Sequence, residues 1–257
     1  MSVLAQKIGL VVGVANKRSL SWAIAQRAAA AGATLVLTYQ DRFEEHVSEL
    51  ADTLTPRPLL LSLDVQDDVA LQTVAERIEA EHGGLDFLVH GVAFAARDEL
   101  TNRFSDTSRE GFKNALDVSA YSLIGLARAT RPLMQARGGG SIVTLSFLGS
   151  ERVFPNYNVM GVAKAALEAS VRYLAADLGP DNVRVNAVSA GPIKTLAAAG
   201  IGGISAMLTI ARERAPLRRN IDAAEVGDAS LFFLSDASRG VTGEVLMVDA
   251  GYHTIGM

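Results

Sequence analysis

Short apolar runs rich in β-branched residues alternate along this chain with longer segments in which apolar residues return at helical spacing. The runs are Ile8–Gly13, Thr34–Tyr39, Pro58–Leu63, Leu85–Gly91, Ser141–Ser146, Val183–Ser189 and Glu244–Val248. Most are continuously apolar, the pattern of strands buried on both faces of a parallel sheet. Between them the spacing predicts helices over Ser19–Ala31, Arg42–Thr53, Val69–His82, Arg109–Ala136, Tyr157–Leu178 and Ala223–Leu234. Gly32 follows the first helix and Gly179-Pro180 the fifth, where helix stop signals belong. This alternation, free of linkers, repeats and low-complexity tracts, predicts a single α/β domain over residues 1–257. Its expected form is a Rossmann-type, doubly wound parallel sheet of about seven strands.

One stretch breaks the pattern. Thr195–Ala206 is small, apolar and studded with glycine, unlike the polar loops that normally cover a surface. It reads either as a loosely packed helix or as part of a substrate-binding lid at about 195–215. The lid is favoured because ligands of open α/β sheets sit at strand ends such as the one just before it.

Composition narrows the class. Of the 257 residues, 49% are hydrophobic and 20% charged, as in a soluble globular enzyme. A net charge of -4 gives no reason to expect nucleic acid or an anionic membrane as partner. No apolar run approaches the roughly 18–20 residues of a membrane helix, and the apolar stretch of Met1–Lys7 ends too early for a secretory signal, so the chain reads as cytoplasmic. With no cysteine, thiolate nucleophiles, disulfides and cysteine metal sites are excluded. His46, His82, His90 and His253 form no i, i+4 pair, so no metal site is expected and each reads as a surface or packing residue.

Candidate chemistry begins at Gly13, where the first strand turns towards a helix starting near Ser19. A glycine there lets the backbone approach a pyrophosphate, and the helix N-terminus offers free N–H groups. Only Gly13 of a three-glycine fingerprint is present, so this turn alone is weak. After the second strand Gln40 stands where a ribose-binding acid is usual. Gln40 suits an unphosphorylated ribose, whereas Arg42 would suit a 2′-phosphate or simply start a helix; the balance favours NAD(H). Asp64 and Val65 are placed to bracket an adenine, although Asp64 serves equally as a helix cap. Finally, Tyr157 and Lys164 are seven residues apart, about two turns or roughly 10 Å along one helix face. That face can present a phenol and an ammonium together, or be no more than a solvated stripe.

Several segments together resemble a known family. They are the Gly13-Val-Ala-Asn turn with Arg18-Ser19, Thr38-Tyr-Gln40, Leu88-Val-His90, Pro155-Asn-Tyr-Asn-Val-Met-Gly-Val-Ala-Lys164 and Arg184-Val-Asn-Ala-Val-Ser-Ala-Gly-Pro-Ile-Lys-Thr-Leu196. From Lys7 to Gly251 the chain is similar to bacterial NADH-dependent enoyl-acyl-carrier-protein reductase, of the short-chain dehydrogenase/reductase superfamily. The commoner carbonyl-reducing pattern of that superfamily needs tyrosine at position 160, where Met160 stands, and serine at position 147, where Phe147 stands. Ser146 is adjacent, but strand alternation aims it to the opposite side.

The resemblance implies reduction of the double bond of a trans-2-enoyl thioester on acyl-carrier protein, the last reductive step of fatty-acid elongation. Hydride would come from NADH, Tyr157 would meet the charge developing on the thioester oxygen, and Lys164 would hold the nicotinamide ribose. Ser19, Leu20, Val92, Ile193 and Thr195 are expected to line the cofactor cleft with Gly13, Gln40, Asp64 and Val65. Phe94, Ala95, Phe147, Met160, Leu196, Ile201 and Met207 are candidates for the acyl pocket, with ordinary core packing as the alternative. Phe147 has no hydrogen to donate and can only wall that pocket. The positions that are basic in the family's lid are Gly202, Ser205 and Ala206 here, leaving Arg212, Arg214 and Arg218 as candidates for carrier docking. The family also implies a homotetramer joined through the segments Arg109–Ala136 and Tyr157–Leu178. A carbonyl-reducing dehydrogenase, a dinucleotide-binding sensor and, more weakly, a serine hydrolase built on Ala187-Val-Ser-Ala-Gly191 remain the alternatives.

Overall fold

The computed structural model describes residues 2–195 and 202–256. Its strands are β1 (Ile8–Val12), β2 (Thr34–Tyr39), β3 (Leu59–Ser62), β4 (Phe87–His90), β5 (Gly140–Ser146), β6 (Val183–Ala190) and β7 (Val245–Val248). All run parallel in one sheet of order β3-β2-β1-β4-β5-β6-β7. The chain therefore winds outward in one direction from β1 to β3 and in the other from β4 to β7. The reversal opens a crevice beyond the strand ends between β1 and β4, where such sheets bind ligands.

The helices are α1 (Leu20–Ala30), α2 (Glu44–Ala51), α3 (Asp68–His82), α4 (Arg97–Thr101), α5 (Arg109–Leu116), α6 (Ser122–Ala136), α7 (Asn158–Leu178), α8 (Ile204–Arg214) and α9 (Ala223–Leu234). Two differ from the sequence expectation. The segment expected as one helix over Arg109–Ala136 is divided by a π turn at Asp117–Tyr121. Helix α4 was unforeseen because five residues are too few to show a period. Helix α7 ends at Leu178, where Gly179-Pro180 is expected to stop it; Gly179 has φ -55, the chain passes into a 3₁₀ turn over Gly179–Asp181, and Asn182 is the left-handed residue (φ 58). Pro180 explains this, since its fixed φ suits the first turn of a helical segment.

Alternation along the strands divides the core into two layers. Leu10, Val12, Val36, Leu88 and Ile142 pack against Leu71 and Ile78 of α3, Leu123 and Leu126 of α6, and Leu167 and Val171 of α7. Val11, Leu37, Val89, Val143 and Val188 meet Trp22 and Ile24 of α1, Val47 of α2, and Val226 and Phe233 of α9. Each large side chain fully buried in this way contributes about 1.5–3 kcal/mol. At the strand starts the buried Asp86 carboxylate accepts from the Ile8 N–H at 2.8 Å and pairs with Lys7 at 3.3 Å and Arg137 at 3.1 Å. The opposite edge, where the strands end, is left to build a site.

Candidate active site

Val12, Gly13, Thr38, Gln40, Asp64, Val65 and Val92 come together around a cleft of about 530 Å³ at the ends of β1 to β4. Gly13 has φ 89, and a Cβ there would lie 2.6 Å from the Gly91 carbonyl oxygen, so only glycine allows this close turn. Ser19 precedes α1, but its hydroxyl donates to the Asn16 carbonyl at 2.7 Å and accepts nothing from the helix. The first N–H groups of α1 thus lack a side-chain acceptor. Leu20 and Ile193 pack on the adjoining core layer. Thr195 donates its N–H to the Ile193 carbonyl at 2.9 Å.

The ambiguity at Asp64 is resolved by its neighbour. Asp67 caps α3, accepting from Val69 N at 2.8 Å and Ala70 N at 3.3 Å, so Asp64 is not the helix cap. Asp64 instead accepts from Gln66 N at 3.0 Å in the turn that lines the cleft. Gln40 accepts from Arg42 at 2.7 Å, and the Arg42 guanidinium lies over the Phe43 ring at 4.7 Å. The Thr38 hydroxyl, buried at the cleft wall, has no partner among the described residues. A glycine turn, an uncapped helix start, a carboxylate and an unpartnered hydroxyl fit a dinucleotide.

Tyr157 immediately precedes α7 and is buried in an apolar wall with Leu100, Ala115, Met160 and Ala163, against which Ala95 and Phe147 pack. The Phe147 ring meets Tyr157 edge-on at 4.9 Å and Phe154 at 4.8 Å. Burial pushes the phenol above the ordinary tyrosine range, and the negative charge of Glu168 adds to the effect. Tyr157 is therefore a protonated donor at neutral pH, and its hydroxyl bonds to no described residue. On either side stand Asn156 (φ 61) and Asn158 (φ 34), left-handed positions that asparagine tolerates better than most residues. Asn156 donates to the Gly202 carbonyl at 2.8 Å, just ahead of α8, and Asn158 to the carbonyls of Leu100 at 3.0 Å and Asn102 at 2.6 Å. The tyrosine is thereby tied to both flanking walls.

Two turns along α7, Lys164 is buried and donates to the Leu145 carbonyl at 2.7 Å. Burial lowers its pKa to about 8, partly opposed by the charge of Glu168. Beneath it lies a buried polar layer that was not foreseen as such. His90 bonds through Nδ1 to Thr144 and through Nε2 to Ser122, each at 2.8 Å. Since Ser122 donates to the Val118 carbonyl at 2.6 Å, the consistent tautomer places the proton on His90 Nε2. Burial, and secondarily the Lys164 charge, lowers the His90 pKa to about 3. Ser146 donates to the buried Glu168, so its hydroxyl turns to α7 rather than standing beside Phe147 in the apolar wall. The available signal for Glu168 was a carboxylate one helical turn beyond Lys164 on an otherwise apolar face.

The acyl-pocket candidates do not all gather. Ala95, Phe147 and Met160 share the wall around Tyr157, whereas Phe94 is half exposed at the rim of the nucleotide cleft. Met207 lines a second cavity of about 330 Å³ with Phe154, Asn156 and Ile210. Leu196 and Ile201, and part of Thr195–Ala206, lie outside the described residues. Among those residues no helix is long and apolar enough to cross a membrane.

A family model described as enoyl-(acyl carrier protein) reductase matches residues 13–253. An enoyl-[acyl-carrier-protein] reductase [NADH] FabI of Nostoc sp. is 53% identical, covering 99% of each chain. Among solved structures, the Bacillus cereus enoyl-acyl carrier protein reductase with NADP+ and an indole naphthyridinone superposes with a TM-score of 0.97, at 51% identity over 100% of both chains. The Anaplasma phagocytophilum reductase in complex with NAD gives 0.95 at 47% identity, over 99% of this chain and 97% of that one.

Proposed function

The chain belongs to the enoyl-(acyl carrier protein) reductase family, and from that premise we propose how its own residues carry out the family reaction. It is an NADH-dependent reductase of the carbon–carbon double bond in enoyl-acyl-carrier protein, acting in fatty-acid biosynthesis. The observation that carries the residue assignment is the pair Tyr157, at the N-cap of α7, and Lys164, two turns along it, with Met160 and Phe147 where a carbonyl reductase needs its tyrosine and serine.

Bound NADH would supply a hydride to the β-carbon of the enoyl thioester, and uptake of one proton at the α-carbon of the resulting enolate completes the reduction. Tyr157, held protonated by burial, donates a hydrogen bond to the thioester oxygen as it gains negative charge. Such a bond strengthens only as charge develops, so it acts on kcat. Lys164 holds the nicotinamide ribose and keeps the local potential positive. The uncapped start of α1 and the Gly13 turn receive the pyrophosphate, and Asp64 and Val65 bracket the adenine. Phe147, Ala95 and Met160 exclude water from one side of the acyl chain, with Met207 of α8, within the expected lid, on the other.

Carrier docking at Arg212, Arg214 and Arg218, a homotetramer joined through α5, α6 and α7, and a cytoplasmic setting complete the reading. The exposed Tyr121 of the π turn, Ile124 of α6 and Tyr173 of α7 support an oligomer. The test is NADH consumption with crotonyl or longer enoyl thioesters, run beside a 3-oxoacyl thioester and NADPH. Enoyl substrate with NADH is the expected combination. Turnover of the oxo substrate alone would overturn the assignment.

A further inference from the structure

Glu168 is a buried carboxylate with no role in the mechanism above. It stands one turn beyond Lys164 on α7 and is 6% exposed. Its hydrogen-bond donor is the hydroxyl of Ser146, the last residue of β5. The preceding residue, Leu145, offers its carbonyl to Lys164 at 2.7 Å. Two consecutive residues of one strand end therefore fasten two consecutive turns of α7, one through the ammonium and one through the carboxylate.

A carboxylate removed from water with a single hydroxyl donor needs a countercharge. Among the described residues, Lys164, one turn back on α7 and buried, is the cation on which this carboxylate acts, whereas Arg172, one turn further on, is exposed to water. His90, on β4, has its two nitrogens engaged by Thr144 and Ser122 and stays neutral. Tyr157, ahead of α7, is an uncharged phenol. In the π turn, Asp117 accepts from Gln66 at 2.8 Å and Tyr121 meets Arg128 at 3.3 Å. Glu151 and Arg152, in the turn before α7, are exposed. The β5 residues packed here, Thr144 and Ser146, carry no charge.

We propose that Glu168, anchored by Ser146, is a positioning residue for the reductase: its carboxylate keeps Lys164 a charged ammonium at the end of β5 and so sets the upper pH limit of cofactor binding and turnover. The inference rests on the assignment of Tyr157 and Lys164 as the working pair. The direction of the effect follows from charge alone. A negative group beside Lys164 favours its protonated form, opposing the burial that brings its pKa down to about 8. Without Glu168, Lys164 would lose its proton at a lower pH.

The test compares wild type with Glu168→Gln, which preserves shape and an acceptor for Ser146 while removing the charge. NADH affinity by fluorescence titration and kcat/KM for an enoyl thioester are measured from pH 6 to 9. The wild-type basic limb is expected near pH 8, and the variant limb about one unit lower. NADH binding and kcat/KM then fall roughly fivefold at pH 8 and approach a tenfold loss at pH 9, with near-normal values at pH 6. Ser146→Ala releases the carboxylate from its anchor and is expected to move the limb the same way by less; it carries the test if the glutamine variant fails to fold. A limb that stays in place in a folded variant, or a uniform loss at every pH, would overturn the proposal and leave Glu168 a packing residue. Failure of the underlying assignment has a separate signature: Lys164→Met and Tyr157→Phe as active as wild type.

Discussion

Replacing Tyr157 with phenylalanine separates the chemistry of this residue from its packing. The ring sits in the wall formed by Leu100, Ala115, Met160 and Ala163, edge-on to Phe147 at 4.9 Å, and phenylalanine keeps all of those contacts. The hydroxyl bonds to no described residue, so its removal strands no buried partner. Folding stability should therefore change by less than about 1 kcal/mol. The reaction loses one donor to an oxygen gaining negative charge, worth about 1.5–3 kcal/mol for a hydrogen bond to a charged group. That corresponds to a fall in kcat of roughly 10- to 150-fold. Because the bond matters most in the transition state, KM should move little. Steady-state NADH oxidation at saturating NADH and enoyl thioester gives kcat and KM, and thermal unfolding of the same sample gives stability. Unchanged kcat, or a change confined to KM, would refute the hydroxyl as a transition-state donor. A large drop in melting temperature would show that the hydroxyl has a structural partner instead.

The other predictions concern the surroundings of this pair. The His90 pKa of about 3 lies below its unfolded value of about 6.5, so its contribution to stability is full above pH 6.5 and is lost as pH falls towards 3, at about 1.4 kcal/mol per unit. Denaturant titrations of wild type against His90→Gln should show a shallower acid limb in the variant, and parallel limbs would contradict the buried neutral imidazole. Gly13→Ala forces a Cβ to within 2.6 Å of the Gly91 oxygen at φ 89. It should cost about 1–2 kcal/mol of stability and weaken NADH binding in a fluorescence titration, whereas unaltered binding would remove Gly13 from the cofactor turn. Asn156→Gly keeps a left-handed backbone available but deletes the 2.8 Å bond to Gly202. Loss of that bond should free about 0.5–1.5 kcal/mol of restraint, read as faster amide exchange over residues 202–207 and a higher KM; unchanged exchange would mean that Asn156 does not hold the α8 end.

The sequence by itself determined the layer order and most of the element boundaries, because a strand buried on both faces has to be apolar throughout and a helix that packs on one side has to repeat near 3.6 residues. It also set Tyr157 and Lys164 seven residues apart, a local quantity, and it was the resemblance to the reductase family that separated this pair from the carbonyl-reducing pattern. The tertiary structure decided matters that depend on residues distant in the chain. Asp64 reads in sequence equally as a helix cap or an adenine partner, and only the fold of the β3–α3 turn gives the cap to Asp67, a residue the sequence reading did not single out. The π turn at Asp117–Tyr121 has no periodic signature, yet it immediately precedes Ser122, which faces His90 from 32 residues away. Ser146 and Glu168 are 22 residues apart and become partners only when α7 is laid across the end of β5. The burial of Lys164 and its bond to the Leu145 carbonyl depend on that crossing and so belong to the tertiary structure, whereas its place on the helix face was already legible in the order of the residues.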